Sequence, residues 1–357
     1  MSSSLGSGGA ERVLSQLANH WAGNGLDVTL VTVFGAESDF YELHPAVRRV
    51  ALGMGWHSSG LVSGVLGTLR RAVNLRRAIV HSRPDAVLAF VDQTNVLTLL
   101  ATLGLGLRVV VSERNNPVDT PRLWRWPRNV LYPRARAVVV QTPGAALDMR
   151  AIVPRARIEV IPNPVSSVGS SMPAANGRVR RIVGLGRLHR QKGFDVLLRA
   201  FALVSPRFPD WELVVAGEGA DRADLEKLRD VLGLVDRVRF PGRTNSPFEL
   251  LGSSAVFALS SRYEGYPNVL IEAMACGCAC VAADCDFGPR DIVRDGVDGL
   301  LVRSEDERAL ALGLERLMAD ESLRSRLGRA ALEVTARLGL PEIERAWRGV
   351  LLPPGQV

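Results

Sequence analysis

The chain has 357 residues, 47% hydrophobic and 23% charged, which suits two globular domains with filled cores and excludes a disordered or fibrous protein. Its net charge of +7 lies entirely in the first half: residues 1–166 carry 18 arginines, no lysine and 11 acids, whereas residues 167–357 carry 26 bases and 26 acids. The first half therefore calls for an anionic partner, a membrane face or a diphosphate; with no aromatic RNA-binding box and no zinc-finger spacing, nucleic acid ranks last.

The opening, SSSLGSGGAER, reads as a glycine-rich loop entering a helix over 10–22, with no strand ahead of it. A parallel sheet without that strand predicts a weakened amino-terminal domain, and a start assigned too late or a fragment. Apolar strands follow at 27–34, 86–90, 108–112, 137–141 and 157–161, with a possible short one at 47–52 and helices at 66–81 and 94–103. The longest apolar stretch, 96–107, is too short to span a bilayer and is broken by Gly104 and Gly106, so membrane contact would be peripheral. Small turn-forming residues at 166–177 read as a linker. Beyond it, strands at 181–185, 211–216, 237–240, 255–259, 279–283 and 299–302 alternate with helices at 194–204, 221–232, 268–275, 305–319 and 321–338. The domains read as 1–165 and 178–340, with a closing segment at 341–357. The fold class is α/β with doubly wound parallel sheets, because continuous apolar strands alternate with helices.

Three stretches carry chemistry. In 260–277, SSRYEGYPNVLIEAMACG, Pro267 opens a helix that follows a buried strand and Gly277 ends it. The amides of Asn268, Val269 and Leu270 then face an anion, while Glu264 and Glu272 suit a hydroxyl-rich ribose or hexose beside it. In 186–193, GRLHRQKG, Gly186 admits close backbone approach and Arg187 and Lys192 neutralise a diphosphate. It is neither a P-loop nor a full dinucleotide fingerprint, which argues against an NAD enzyme. In 112–117, SERNNP lies at a strand end, where ligands collect in open α/β sheets. The 66–81 helix has two readings: Arg70, Arg71, Arg76 and Arg77 grip anionic lipid or an acceptor's diphosphate, or they form an ordinary solvated face. Cys276, Cys278, Cys280 and Cys285 lie close together without a histidine, in a strand-like stretch, and read as buried thiols of a reduced compartment rather than a metal site. Asp284-Cys285-Asp286 copies a metal-binding D-x-D but reads as a loop, so no metal is expected.

Glu264-x7-Glu272 within EGYPNVLIEAMACG, together with GRLHRQKG and GGAERV, resembles the signature of family 4 retaining glycosyltransferases of the GT-B fold, and the likeness runs from Gly8 to about Leu351. The resemblance implies two Rossmann-like domains facing a cleft, with the last segment returning to the first domain and a family strand missing before the Gly8-Gly9 loop. It assigns Arg187, Lys192 and the Gly8-Gly9 loop to the donor diphosphate, Glu264 to the hexose and Glu272 to the ribose. The loops carrying Gly217 and Arg243 would border the base. SERNNP is similar to a subset that transfers N-acetylhexosamines to polyprenyl-diphosphate-linked sugars, which places Glu113, Arg114 and Asn115 at the acceptor. The histidine that many members carry in this region is absent. The implied reaction is retaining transfer from a UDP-sugar, UDP-GalNAc first, to a lipid-linked glycan at the cytoplasmic membrane face. A GDP-mannose or UDP-glucose transferase for capsule or lipopolysaccharide, or a non-catalytic nucleotide-sugar-binding scaffold, are the alternatives.

Overall fold

The computed structural model describes residues 1–6, 8–55, 61–114, 120–165 and 177–353. The chain forms two compact units, one of Met1–Pro164 with Pro341–Val357 and one of Val165–Leu340. The linker reading at 166–177 lies, apart from Gly177, outside the described residues.

The first unit runs α1 (Gly9–Gly23), β1 (Thr29–Thr32), β2 (Arg48–Ala51), α2 (Leu61–Ser82), β3 (Ala86–Phe90), α3 (Asp92–Ala101), β4 (Arg108–Ser112), α4 (Arg122–Leu131), β5 (Ala137–Val140), α5 (Pro143–Ile152) and β6 (Ile158–Val160), and a closing helix, Leu340–Leu351, joins it. β3, β4, β5 and β6 pair in parallel in that order, with Val87 opposite Val109 and Val111 opposite Val138. Their near-continuous apolar residues are buried because helices cover a parallel sheet. β1 pairs only with β2 as a named strand.

The missing first strand needs correction in part. Residues Met1 to Ser3 lie extended between the two groups of strands: Ser2 N–H donates to Val31 O, Val33 N–H to Ser2 O, and Phe90 N–H to Met1 O at 3.0 Å. They are too few for a full strand, yet they join β1 to β3. The Met1 ammonium is buried against Leu88 O at 2.7 Å, and burial pushes its pKa down to about 5. Beneath it a cavity of about 260 Å³ is lined by residues that include Leu14, Leu30, Ile79, Val87 and Leu351.

The second unit runs β7 (Val179–Leu185), α6 (Phe194–Val204), β8 (Glu212–Ala216), α7 (Arg222–Val231), β9 (Val238–Arg239), α8 (Pro247–Ser253), β10 (Ser254–Leu259), α9 (Asn268–Ala275), β11 (Ala279–Asp284), α10 (Pro289–Ile292), β12 (Leu300–Arg303), α11 (Glu307–Ala319), α12 (Glu321–Ala331) and α13 (Val334–Arg337). Its six parallel strands are ordered β12-β11-β10-β7-β8-β9. The chain winds outward from β7 in one direction and from β10 in the other, so the strand order reverses between them. That switch point is where an open α/β sheet leaves a crevice for ligands. Leu197, Phe201, Val256, Val281 and Leu314 are fully buried around this sheet, each contributing about 1.5–3 kcal/mol.

Several helices escape the sequence reading. α4 carries three arginines and an internal proline, α5 starts on a Thr-Pro pair, and α8 is only seven residues long. The expected 321–338 helix divides into α12 and α13. The four cysteines are free and buried, and desolvation pushes the thiols up, Cys278 to about 11 and Cys276 to about 12.

Candidate active site

The loops after β7 and β10 flank the switch point and are fastened to each other. Arg262 N–H donates to Gln191 O, Ser260 Oγ to Lys192 O at 2.8 Å and Gln191 Nε2 to Tyr263 O at 3.1 Å. The Arg262 guanidinium holds both oxygens of Asp195 at 2.8 and 2.7 Å, which lowers the Asp195 pKa. Gly193 has φ +61 and its Cα faces Ser260 O, where a Cβ would sit 2.1 Å away. Only glycine lets these loops approach this closely.

Within this clamp Lys192 Nζ meets Glu264 Oε1 at 2.6 Å, and Ser261 Oγ donates to the same oxygen at 2.6 Å. Glu264 is buried. The motif's first glutamate and its lysine therefore form one hydrogen-bonded unit. Arg187 is exposed and makes no ion pair among the described residues. α9 begins at Asn268, with Pro267 at its N-cap rather than at the first helical position and no side-chain cap. The Leu270 amide, however, turns back onto Pro267 O at 2.9 Å, so of the three amides expected to face an anion it is already engaged. Glu272 lies in the second turn of α9 and is buried.

A row of glycines continues the crevice across the strand ends. Gly186 N–H donates to Ala216 O at 3.0 Å, and Gly217 N–H to Gly242 O at 2.8 Å, with Arg243 next and exposed. Gly217 has φ +148, and a Cβ there would lie 1.8 Å from Gly186 O. Gly217→Ala is expected to cost about 3 kcal/mol or more by forcing these loops apart, measurable as a lowered urea midpoint. An unchanged midpoint would show that the two loops are not held in register by this contact.

In the first unit, Gly8 is the N-cap of α1, no side chain caps it, and Tyr41 Oη donates to Gly8 O at 3.2 Å. Gly9 is exposed. At the C-terminal ends of β3 to β6 a second group of polar residues collects. Glu113 is 2% exposed; Tyr132 Oη donates to its carboxylate, and Asn95 Nδ2 donates to Tyr132 Oη at 3.1 Å. Glu113 is thus an interior residue, and its bond to Tyr132 fixes the loop. Arg114 lies 3.9 Å over the Phe90 ring and 5.7 Å from that of Trp347, and donates to Asn163 Oδ1. Its Nε and Nη2 are shielded from solvent and find no partner among the described residues, and burial lowers its pKa to about 9. Asn115 lies outside the described residues.

The arginines of α2 divide. Arg70 and Arg77 are exposed, as a binding face requires. Arg71 is buried and donates to Gly55 O at 2.8 Å, while Arg76 donates to Ala101 O at the end of α3 and to Leu103 O just beyond it. These two brace the fold, which corrects their place in the acceptor face.

Burial, opposed by the Tyr132 hydrogen bond and reinforced by the Asp92 charge, raises the Glu113 pKa to about 7. The folded state holds this proton more tightly than the unfolded chain, whose carboxyl titrates near 4.5, so this contribution to stability is lost as pH rises from about 4.5 through about 7. Glu113→Gln should flatten that decline, seen as a smaller Tm difference between about pH 5 and about pH 8. An identical pH dependence in the variant would show that Glu113 titrates normally.

Residues 173–334 match the family described as glycosyl transferases group 1, and residues 8–164 match the glycosyl transferase 4-like domain. A Campylobacter jejuni α-1,4-N-acetyl-D-galactosaminyltransferase, whose name gives an undecaprenyl-diphosphate-linked acceptor, is 30% identical over 348 residues, covering 96% of this chain and 94% of that one. The chain belongs to the group 1, family 4 glycosyltransferases of the GT-B fold. This glycosyltransferase superposes on sucrose-phosphate synthase from Thermosynechococcus elongatus with a TM-score of 0.81 at 20% identity, over 96% and 92% of the two chains. It also superposes on Anabaena HepE in complex with UDP with a TM-score of 0.79 at 18% identity, over 98% and 97%. Ser261, Arg262 and Asp195 fasten the candidate site's two loops, and the sequence reading named none of them. None has a motif of its own, and only their loops' meeting reveals them.

Proposed function

We propose that this glycosyltransferase moves a hexose, GalNAc from UDP-GalNAc, to a polyprenyl-diphosphate-linked glycan with retention at the anomeric carbon. The observation that carries the donor half is the Lys192–Glu264–Ser261 unit at the switch point, with exposed Arg187 beside it in the loop sequence. As the glycosidic bond breaks, negative charge grows on the leaving diphosphate. Arg187, Lys192 and the Asn268 and Val269 amides meet that charge without a metal. Glu264 then orients a sugar hydroxyl and Glu272 the ribose, while the Gly217 and Arg243 loops border the base. The reading needs no covalent nucleophile: the leaving phosphate takes the acceptor's proton on the same face.

The acceptor half is supported by Arg114. A guanidinium whose Nε and Nη2 find no partner among the described residues, stacked on an aromatic ring, suits a phosphate oxygen. The C. jejuni relative's named acceptor is of this kind, and exposed Arg70 and Arg77 fit a peripheral position on the cytoplasmic, anionic membrane face. UDP in the HepE complex favours a uridine nucleotide.

Thermal-shift titration with UDP, GDP, UDP-GalNAc, UDP-glucose and GDP-mannose tests the donor. At a hundredfold excess over Kd, the cognate nucleotide should stabilise by about 2.7 kcal/mol. A response to UDP-GalNAc above UDP-glucose supports the reading; a response to GDP-mannose alone replaces it with the mannosyl reading, and none at all overturns donor binding by this chain.

A further inference from the structure

α4 presents to solvent what a water-soluble surface normally buries. Trp126 is 74% exposed and Leu123 71%, and with Val130 they form a single stripe at positions i, i+3 and i+7. α2 repeats the pattern: Leu66 at 61% and Leu69 at 55% lie on one face with Val73 and Val80. Both helices pack against α3. The residues around these stripes are basic, with exposed Arg70 and Arg77 on α2, Arg122 and Arg125 on α4 and Arg134 just beyond it. No aspartate or glutamate occurs between Glu42 and Asp85, or between Asp119 and Asp148.

We infer that the α2 and α4 stripes insert into an anionic lipid bilayer, with Trp126, Leu123, Leu66 and Leu69 entering the interface and the surrounding arginines meeting the headgroups. The inference narrows the membrane position in the proposed function to a particular surface, and it rests on that reading only for the acceptor. Two physical terms support it. A tryptophan and a leucine on the α4 stripe and two leucines on the α2 stripe gain by leaving water, and tryptophan favours the headgroup level. The acid-free rim attracts anionic headgroups without repelling them. An ordinary solvated arginine face would not keep a tryptophan and three leucines outward among them.

The test is co-sedimentation of the full chain with phosphatidylcholine vesicles, with and without phosphatidylglycerol, for the wild type and Leu123→Ser/Trp126→Ser. The wild type should bind the mixed vesicles and not the neutral ones, and the double variant should bind at least about tenfold more weakly. UDP-induced thermal stabilisation, measured on the same samples, should be unaltered by the substitutions. Wild type that ignores the mixed vesicles, or a variant that binds them as well as wild type, overturns the inference. So does a dimer dispersed by the same substitutions in the absence of vesicle binding, which would make the face an interface between copies. Vesicle binding of the expected pattern without any UDP response would leave this inference standing while the donor reading fails.

Discussion

Lys192→Ala should lower glycosyl transfer by about 10²–10³-fold, the scale at which enzymes lose a preorganised group that meets transition-state charge. The ammonium stands 2.6 Å from Glu264 in the loop after β7, at the switch point where the strand order reverses. Removing it has a second consequence, because Glu264 is buried and would keep, among the described residues, only Ser261 as a side-chain donor. A stability loss of about 2 kcal/mol should accompany the activity loss. The double variant Lys192→Ala/Glu264→Gln separates the two effects: stability should return toward wild type while turnover stays low. Turnover that recovers with stability would mean that Lys192 only neutralises Glu264 and has no part in transfer.

The largest expected stability effect is in the other unit. Trp347 on the closing helix is fully buried, its ring 5.9 Å from that of Phe90, with Arg114 stacked nearby. Trp347→Ala removes one of the largest fully buried side chains and should cost about 3–5 kcal/mol. Its signature should be faster amide exchange in β3 and β4, since Phe90 and Ser112 close the sheet where Arg114 leaves it. Exchange there that matches wild type would mean the closing helix does not support this sheet.

The sequence carried much of this protein, for reasons visible in particular residues. Strands such as AVLAF and AVVV are buried on both faces and so are continuous apolar runs that periodicity alone detects. Pro267 and Gly277 bracket α9 because the first helical turn tolerates a missing N–H and the last favours φ +67. α4 was invisible for the opposite reason: its polar, arginine-rich composition and Pro127 resemble a loop, while its exposed apolar stripe mimics a core face. Met1–Ser3 gave no strand signal, since a serine run becomes extended only through bonds to Val31, Val33 and Phe90 far along the chain.

The candidate site was legible in its charges and glycines but not in their partners. Spacing names Lys192 and Glu264 as binding groups; it cannot reveal that they bind each other, because 72 residues separate them. The arginines of α2 look equivalent in sequence, yet Arg71 and Arg76 turn to backbone carbonyls while Arg70 and Arg77 face water. Glu113 and Arg114 are neighbours with opposite fates, one interior and one held over Phe90.

The most direct test of the proposed reaction is to supply UDP-GalNAc and a synthetic polyprenyl-diphosphate-linked hexosamine to the purified chain and to assign the new anomeric centre by proton NMR. The account predicts release of UDP and a single α-linked hexosamine on the acceptor. A β-linked product would contradict retention, and turnover confined to GDP-mannose or UDP-glucose would contradict the donor.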